Sequence, residues 1–116
     1  MRVVVCIGGS VLAPELDPHR IEGHAETIRG LAAEGCVVAA VVGGGGVARD
    51  YIGAARDLGA NEVQLDRIGI DVTRINARLL IAALGPEVDP SVAHDYEGAG
   101  DAVRRGDVSV MGGVMP

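Results

Sequence analysis

The sequence has no lysine, no tryptophan and no phenylalanine, and its aromatic content is only 2%. Without rings to stack on bases, a nucleic-acid surface of the aromatic kind is excluded. Without rings to fill an interior, the core must be built from Val, Ile, Leu and Ala, which suits a packed α/β arrangement. Without lysine, all ten basic residues are arginine, so a bound anion must be met by guanidinium or by backbone N–H donors. Sixteen carboxylates outnumber those ten cations, for a formal net charge of −6. Nucleic acid and anionic membrane are thereby excluded as partners over most of the surface. Carboxylate excess with no lysine fits adaptation to high salt and fits equally a GC-rich genome, and composition leaves both open.

Cysteine is scarce as well. Cys6 and Cys36 lie in or beside apolar runs, with no CxxC pair and no histidine at metal-ligand spacing. They read as two buried, reduced thiols of a cytoplasmic protein, and no metal site is expected. The opening "MRVVVCIGGS" enters a strand pattern directly, and its apolar stretch is too short for a signal-peptide core or a membrane span. At 116 residues the chain forms one domain at most, without internal repeat, low-complexity tract or linker.

Glycine, by contrast, is abundant, and it punctuates an alternating order of elements. Residues 2–7, "RVVVCI", read as a strand buried on both faces, followed by the turn Gly8-Gly9-Ser10. Asp17-Pro18 reads as an N-cap and first helical position, and Ile21, Ala25, Ile28 and Leu31 recur at helical spacing until Gly35. Residues 37–42, "VVAAVV", form a second strand ended by Gly43 to Gly46. Val47, Tyr51, Ala54 and Leu58 mark a helix that starts in that loop and stops at Gly59. Glu62 to Leu84 is the longest element, with Leu65, Ile68, Val72, Ile75, Leu79 and Ala82 as a core-facing stripe, or alternatively a helix–helix dimer seam, and Arg67, Asp71, Arg74 and Arg78 on other faces. After a loop, Asp95 caps a short helix to Arg105, and "VSVMGG", residues 108–113, makes a third strand. Alternating strands and helices predict a three-layer αβα fold with a mainly parallel sheet.

The four glycines of "VVGGGGVARD" would weaken any strand or helix built through them by roughly 0.5–1 kcal/mol each. They belong to a loop, and a loop without side chains lets phosphate reach backbone N–H groups. All three strands end in glycine pairs, and in a parallel sheet those ends share the edge where ligands gather. Gly43, Gly45 and Ala48 also satisfy the G-x-G-x-x-A dinucleotide fingerprint, with Asp66 at the distance of its ribose-binding acid. That acid should end a strand, however, and Asp66 falls near the start of the long helix.

Taken together, "VVVCIGGSVL", "VVVGGGGVARDYI", "LDRIGIDVTRINARLLIAAL" and "VSVMGGVMP" resemble the amino-terminal half of archaeal uridylate (UMP) kinases, of the amino acid kinase superfamily. The first two motifs are shared across the superfamily, whereas the "IGIDVTRINA" helix and the "MGG" turn select uridylate kinase. The resemblance implies transfer of a phosphoryl group from ATP, carried with Mg2+, to UMP in pyrimidine nucleotide biosynthesis. It places Gly9, Ser10, Gly45 and Arg49 beside the ATP phosphates, with Arg49 as the catalytic cation. It places Gly44 and Asp66 on the UMP-binding pattern, and has Val114, Met115 and Pro116 open the loop that wraps UMP. Homo-oligomerisation through the 62–84 helix would be in keeping with it.

Each assignment has a plainer alternative. Arg49 could be a surface arginine paired with Asp50 or a neighbouring acid, and Asp66 a helix-start carboxylate favoured by the helix dipole. His19, His24 and His94 have no paired acid and read as surface residues, and Ser10 has no adjacent base that would make it a nucleophile. Cys6 stands where many superfamily members carry a lysine. The family continues beyond the position of Pro116 with a Gly-His-Thr-Thr-Asp type of segment and a second half, so the resemblance implies that residues 1–116 are the amino-terminal half of the domain, with activity of these residues alone an open question. The alternatives are a non-catalytic nucleotide- or phosphate-binding half that pairs with another chain, and a different kinase of the superfamily, acting on a carboxylate or an isoprenoid phosphate.

Overall fold

Two six-residue β-branched runs and a shorter third one pair side by side. The computed structural model describes residues 2–8, 17–85 and 108–112. In chain order its elements are β1 (Arg2–Ile7), α1 (Pro18–Ala33), β2 (Val37–Val42), α2 (Gly45–Asp57), α3 (Glu62–Leu84) and β3 (Ser109–Met111). The sheet order is β1-β2-β3 and both pairings are parallel, as the alternation of elements requires. The register sets Val3 opposite Val38 and Ile7 opposite Val42, then Ala40 opposite Val110. The short helix expected over Asp95 to Arg105, and His94, lie outside the described residues.

Strand periodicity assigns one face of this sheet to the core. Ile7, Val38, Ala40, Val42 and Val110 pack there against Ile21, Ala25 and Ile28 of α1 and against Ala77, Leu80, Ile81 and Leu84 of α3. Ile28 and Leu80 are among the largest fully buried side chains, each stabilising the fold by about 1.5–3 kcal/mol relative to exposure. α1 is started by Asp17, whose carboxylate accepts from the His19 N–H at 3.0 Å, with Pro18 in the first turn as the sequence suggests. α3 starts with a reciprocal box, the Asn61 side chain accepting from the Gln64 N–H and the Gln64 side chain from the Asn61 N–H, both at 2.9 Å. Arg29 of α1 donates to the Ala83 carbonyl at 2.7 Å and pairs with Glu22, placing positive charge at the C-terminal end of α3.

Four sequence expectations are corrected. β1 is not buried on both faces: Arg2, Val4 and Cys6 are exposed, Val4 by 70%, because among the described residues the helices packed on β1 lie on the other side of the sheet. The thiols are accordingly not both buried, Cys6 being exposed and Cys36 half-buried, and neither forms a disulfide. On α2 the inward residues are Ala48, Ile52 and Ala55 at i, i+4 and i+7, one position off the expected stripe, while Tyr51, Ala54 and Leu58 are exposed. On α3 the stripe drifts: Leu65 and Val72 are buried as expected, but Ile75 and Ala82 face outward and Asn76, Leu80, Ile81 and Leu84 face inward. The cause is a polar residue on the core face, which a purely apolar pattern steps around. Arg74, on another face of α3, is half-buried with its Nε atom unpartnered among the described residues.

Where β3 ends, the chain runs against α3 so closely that a Cβ on Gly112 would lie 2.8 Å from Thr73 Oγ1 and 2.9 Å from the main chain of Thr73 and Arg74. Main chain cannot yield as a flexible side-chain tip does. Gly112→Ala is therefore expected to lower stability by about 1–3 kcal/mol, as overpacking does. Gly23→Ala, on a helical site with nothing within 4 Å, should raise it by about 0.5–1 kcal/mol. Chemical denaturation of the two variants measures both signs.

Candidate functional site

Parallel pairing brings the carboxyl ends of the three strands to one edge, so Gly8, Gly43-Gly44 and Gly112 share it. α2 springs from the middle of that edge. Its first i→i−4 bond runs from Ala48 N–H to the Gly44 carbonyl at 3.4 Å, leaving the amides of Gly45, Gly46 and Val47 ahead of the helical ladder. α1 and α3 close their N-termini with side-chain caps, whereas α2 has Gly44 at its N-cap, no side-chain cap bond and no acidic residue in its first turn. Orphan donors, the positive end of a helix dipole and no competing carboxylate suit an anion such as phosphate.

The two central glycines are required for different reasons. Gly45 has φ +65°, in the left-handed region where a side chain is strained. Gly44 has an ordinary φ of −91°, but a Cβ there would lie 2.6 Å from the Ala48 Cβ. Beneath this turn lies α3. The Gly44 position faces Thr73 Cγ2 and the Gly69 carbonyl, Ile52 of α2 lies against Gly69, and Thr73 also abuts Gly112. A single residue type thus recurs wherever α3 is approached by a turn.

Asn76 fastens the loop to this helix. It is 2% exposed, and its Nδ2 donates to the carbonyls of Gly43 at 2.9 Å and of Gly44 at 3.1 Å. Sequence reasoning did not single it out. The available signal was a polar residue in helical phase with Val72 and Leu80, since burial of an amide needs partners to offset its desolvation.

Among the residues nominated from sequence, Gly44 and Gly45 meet at the start of α2. Arg49 is the fifth residue of that helix, one step beyond the first turn, and its side chain is exposed. Asp66 is exposed on α3, at i, i+3, i+7 and i+10 spacing with Gly69, Thr73 and Asn76, the residues that face the glycine turns. It follows no strand, and β2, α2 and α3 succeed one another directly, so the dinucleotide fingerprint fails on its context. Gly9, Ser10, Val114, Met115 and Pro116 lie outside the described residues. His19 is exposed and His24 half-buried. No group of three His, Cys, Asp or Glu residues that could hold a metal ion occurs among the described residues. No helix there is long and apolar enough to cross a membrane.

Comparison with known proteins agrees with this architecture. A model of the amino acid kinase family matches residues 1–111. The uridylate kinase of Haloquadratum walsbyi is 78% identical over 116 residues, covering 100% of this chain and 48% of that protein. The crystal structure of uridylate kinase from Archaeoglobus fulgidus superposes with a TM-score of 0.91 at 44% identity, covering 100% of this chain and 52% of that one. The UMP kinase of Bacillus anthracis, at 24% identity and a TM-score of 0.76, shares the fold. The chain spans about half the length of the curated relatives it matches.

The separate causes of glycine at 44 and 45 are distinguishable by a double-mutant cycle. Gly44→Ala should cost about 1–3 kcal/mol of stability by overpacking, and markedly less in an Ala48→Gly background that removes the opposing Cβ. Gly45→Ala should cost about 1–2 kcal/mol from its left-handed backbone, and equally in both backgrounds. Thermal or urea unfolding of the six proteins provides the measurement.

Proposed function

Because the chain belongs to the amino acid kinase family, we propose that it is the amino-terminal part of a uridylate kinase, which transfers the γ-phosphoryl group of ATP to UMP. The observation that carries this reading is the start of α2, an uncapped helix end made of glycine at the carboxyl edge of a parallel sheet. The names of the relatives supply the acceptor, since they are uridylate kinases over the whole of this chain.

In this proposal a phosphate oxygen of UMP attacks the γ-phosphorus in line while the bond to the β,γ-bridging oxygen breaks, leaving UDP and ADP. Little covalent work falls to the protein, and the rate comes from positioning and from charge that meets the transferring oxygens. Gly45, with Gly9 and Ser10, receives the ATP phosphates, and Arg49 supplies the full positive charge that a lysine-free chain must take from arginine. Gly44 faces the acceptor phosphate, Asp66 accepts from the ribose hydroxyls of UMP, and Val114, Met115 and Pro116 begin the enclosure of UMP. Mg2+ would come with the nucleotide and would neutralise its phosphate oxygens, while the amides at the start of α2 would meet the same phosphates as donors. A cytoplasmic setting belongs to the same proposal. So does self-association through α3, for which Val63 and Ile75 are the exposed large apolar residues of that helix.

The tests use the intact protein and a UDP-forming assay with UMP and Mg-ATP. Asp66→Ala should weaken UMP binding by about 1–3 kcal/mol, the usual loss for hydrogen bonds to a charged group, with little change for ATP. Equal loss for both nucleotides would assign Asp66 to the helix start alone. Arg49→Ala should lower kcat by roughly 10²–10³, comparable to deleting one preorganised donor, and Arg49→Lys should recover only part because a point charge replaces a planar fork. A folded Arg49→Ala protein with undiminished kcat would make Arg49 a surface charge.

A further inference from the structure

We propose that Asn76 is a positioning residue for phosphoryl transfer: it holds the two peptide groups after Gly43 and Gly44 so that their amides face the nucleotide phosphates. The inference rests on the kinase reading above and adds to it a residue that contacts neither nucleotide. The Asn76 amide has two N–H donors, and its nitrogen lies 2.9 Å from the Gly43 carbonyl and 3.1 Å from the Gly44 carbonyl, so both donors are committed to the loop. A trans peptide is planar, with its N–H directed opposite its C=O. The Gly43 carbonyl shares a plane with the Gly44 N–H, and the Gly44 carbonyl with the Gly45 N–H. Drawing both carbonyls toward α3 therefore turns both amides away from it.

The remaining bonds of the turn agree with this assignment. The Gly43 N–H donates to the Ile7 carbonyl at 3.0 Å, fixing the entry to the turn as a continuation of the β1–β2 ladder. The Gly44 carbonyl also accepts from Ala48 N–H, fixing the exit as the first helical bond. Between entry and exit, consecutive glycines have wide φ/ψ freedom, and among the described residues Asn76 is the side chain that bonds the carbonyls of both planes. An apolar residue would fill the same buried volume without the desolvation that an amide incurs. Asparagine at this place supplies polarity to the loop, and packing alone does not require it. Donors already aimed at developing charge need no reorganisation during reaction, which is where their effect on rate arises.

Steady-state kinetics of the intact protein, with the folded fraction measured for each variant, tests the role. Asn76→Leu keeps the branched heavy-atom skeleton and removes both donors, Asn76→Ser leaves a hydroxyl that donates one bond, and Leu80→Ala destabilises the same helix at a core position away from the loop. We expect kcat per folded molecule to fall by roughly 10²-fold in Asn76→Leu and by less in Asn76→Ser, with smaller changes in KM. Leu80→Ala should keep its kcat despite lost stability. A folded Asn76→Leu protein with kcat within about threefold of wild type overturns the proposal, and if that variant does not fold, an undiminished kcat in Asn76→Ser does the same. A wild-type protein that does not phosphorylate UMP overturns the kinase reading instead. Asn76 is then judged by selective 15N-glycine spectra: inorganic pyrophosphate should move the Gly44 and Gly45 amide resonances in wild type and not in Asn76→Leu. Equal shifts in both, or none in wild type, remove the role.

Discussion

Close approach of one helix to the carboxyl edge of the sheet is the constraint on which the site depends. α3 comes so near that Gly112 has no room for an unhindered side chain, the obstacle being the Thr73–Arg74 main chain, whereas at Gly44 the obstacle is the Ala48 Cβ of α2. Interiors pack at crystal-like density and resist local expansion, so the approach fixes residue size at the turn after β3. It also brings Asn76 within hydrogen-bonding distance of the loop carbonyls. The core packs against Ala77, Leu80, Ile81 and Leu84, which follow Asn76 along the helix.

The chemistry follows from how charge is allotted around that face. An acidic, lysine-free chain has little positive potential to spare, with a net charge of −6, and an anion site must be assembled locally. The uncapped start of α2 contributes roughly half an elementary charge through its dipole, and no carboxylate stands in its first turn to cancel it. The other two helices satisfy their first amides internally with Asp17 and with the Asn61–Gln64 box. Among the described residues, donors are thus capped where the fold needs closure and without a side-chain cap where a ligand is proposed.

Much of the scaffold was legible in the sequence because its signals were local. The bounds of β1, β2 and α3 coincide with the apolar runs and periodic stretch that suggested them, and Asp17-Pro18 starts α1 as its residue types require. Gly44 and Gly45 were legible as the turn that starts α2 because four glycines weaken any strand or helix built through them. What was not legible depended on neighbours distant in sequence. Cys6 looked buried because a β-branched run does not reveal that, among the described residues, the helices pack on one side of its strand. The inward face of α2 was misjudged by one position because two of its three inward residues, Ala48 and Ala55, are small, and large apolar residues dominate a periodicity count. Asn76 was passed over because its value comes from carbonyls 32 and 33 residues away.

The central claim is that the amides of Gly44 and Gly45, held by Asn76, receive nucleotide phosphate at the start of α2. A crystal structure of the intact protein with UMP and a non-hydrolysable ATP analogue tests it most directly. The account predicts phosphate oxygens about 2.7–3.2 Å from the Gly44 and Gly45 nitrogens, with the Asn76 amide still on the Gly43 and Gly44 carbonyls. Phosphates bound away from α2, or a loop whose peptide planes have turned off Asn76 when the nucleotides bind, would contradict it.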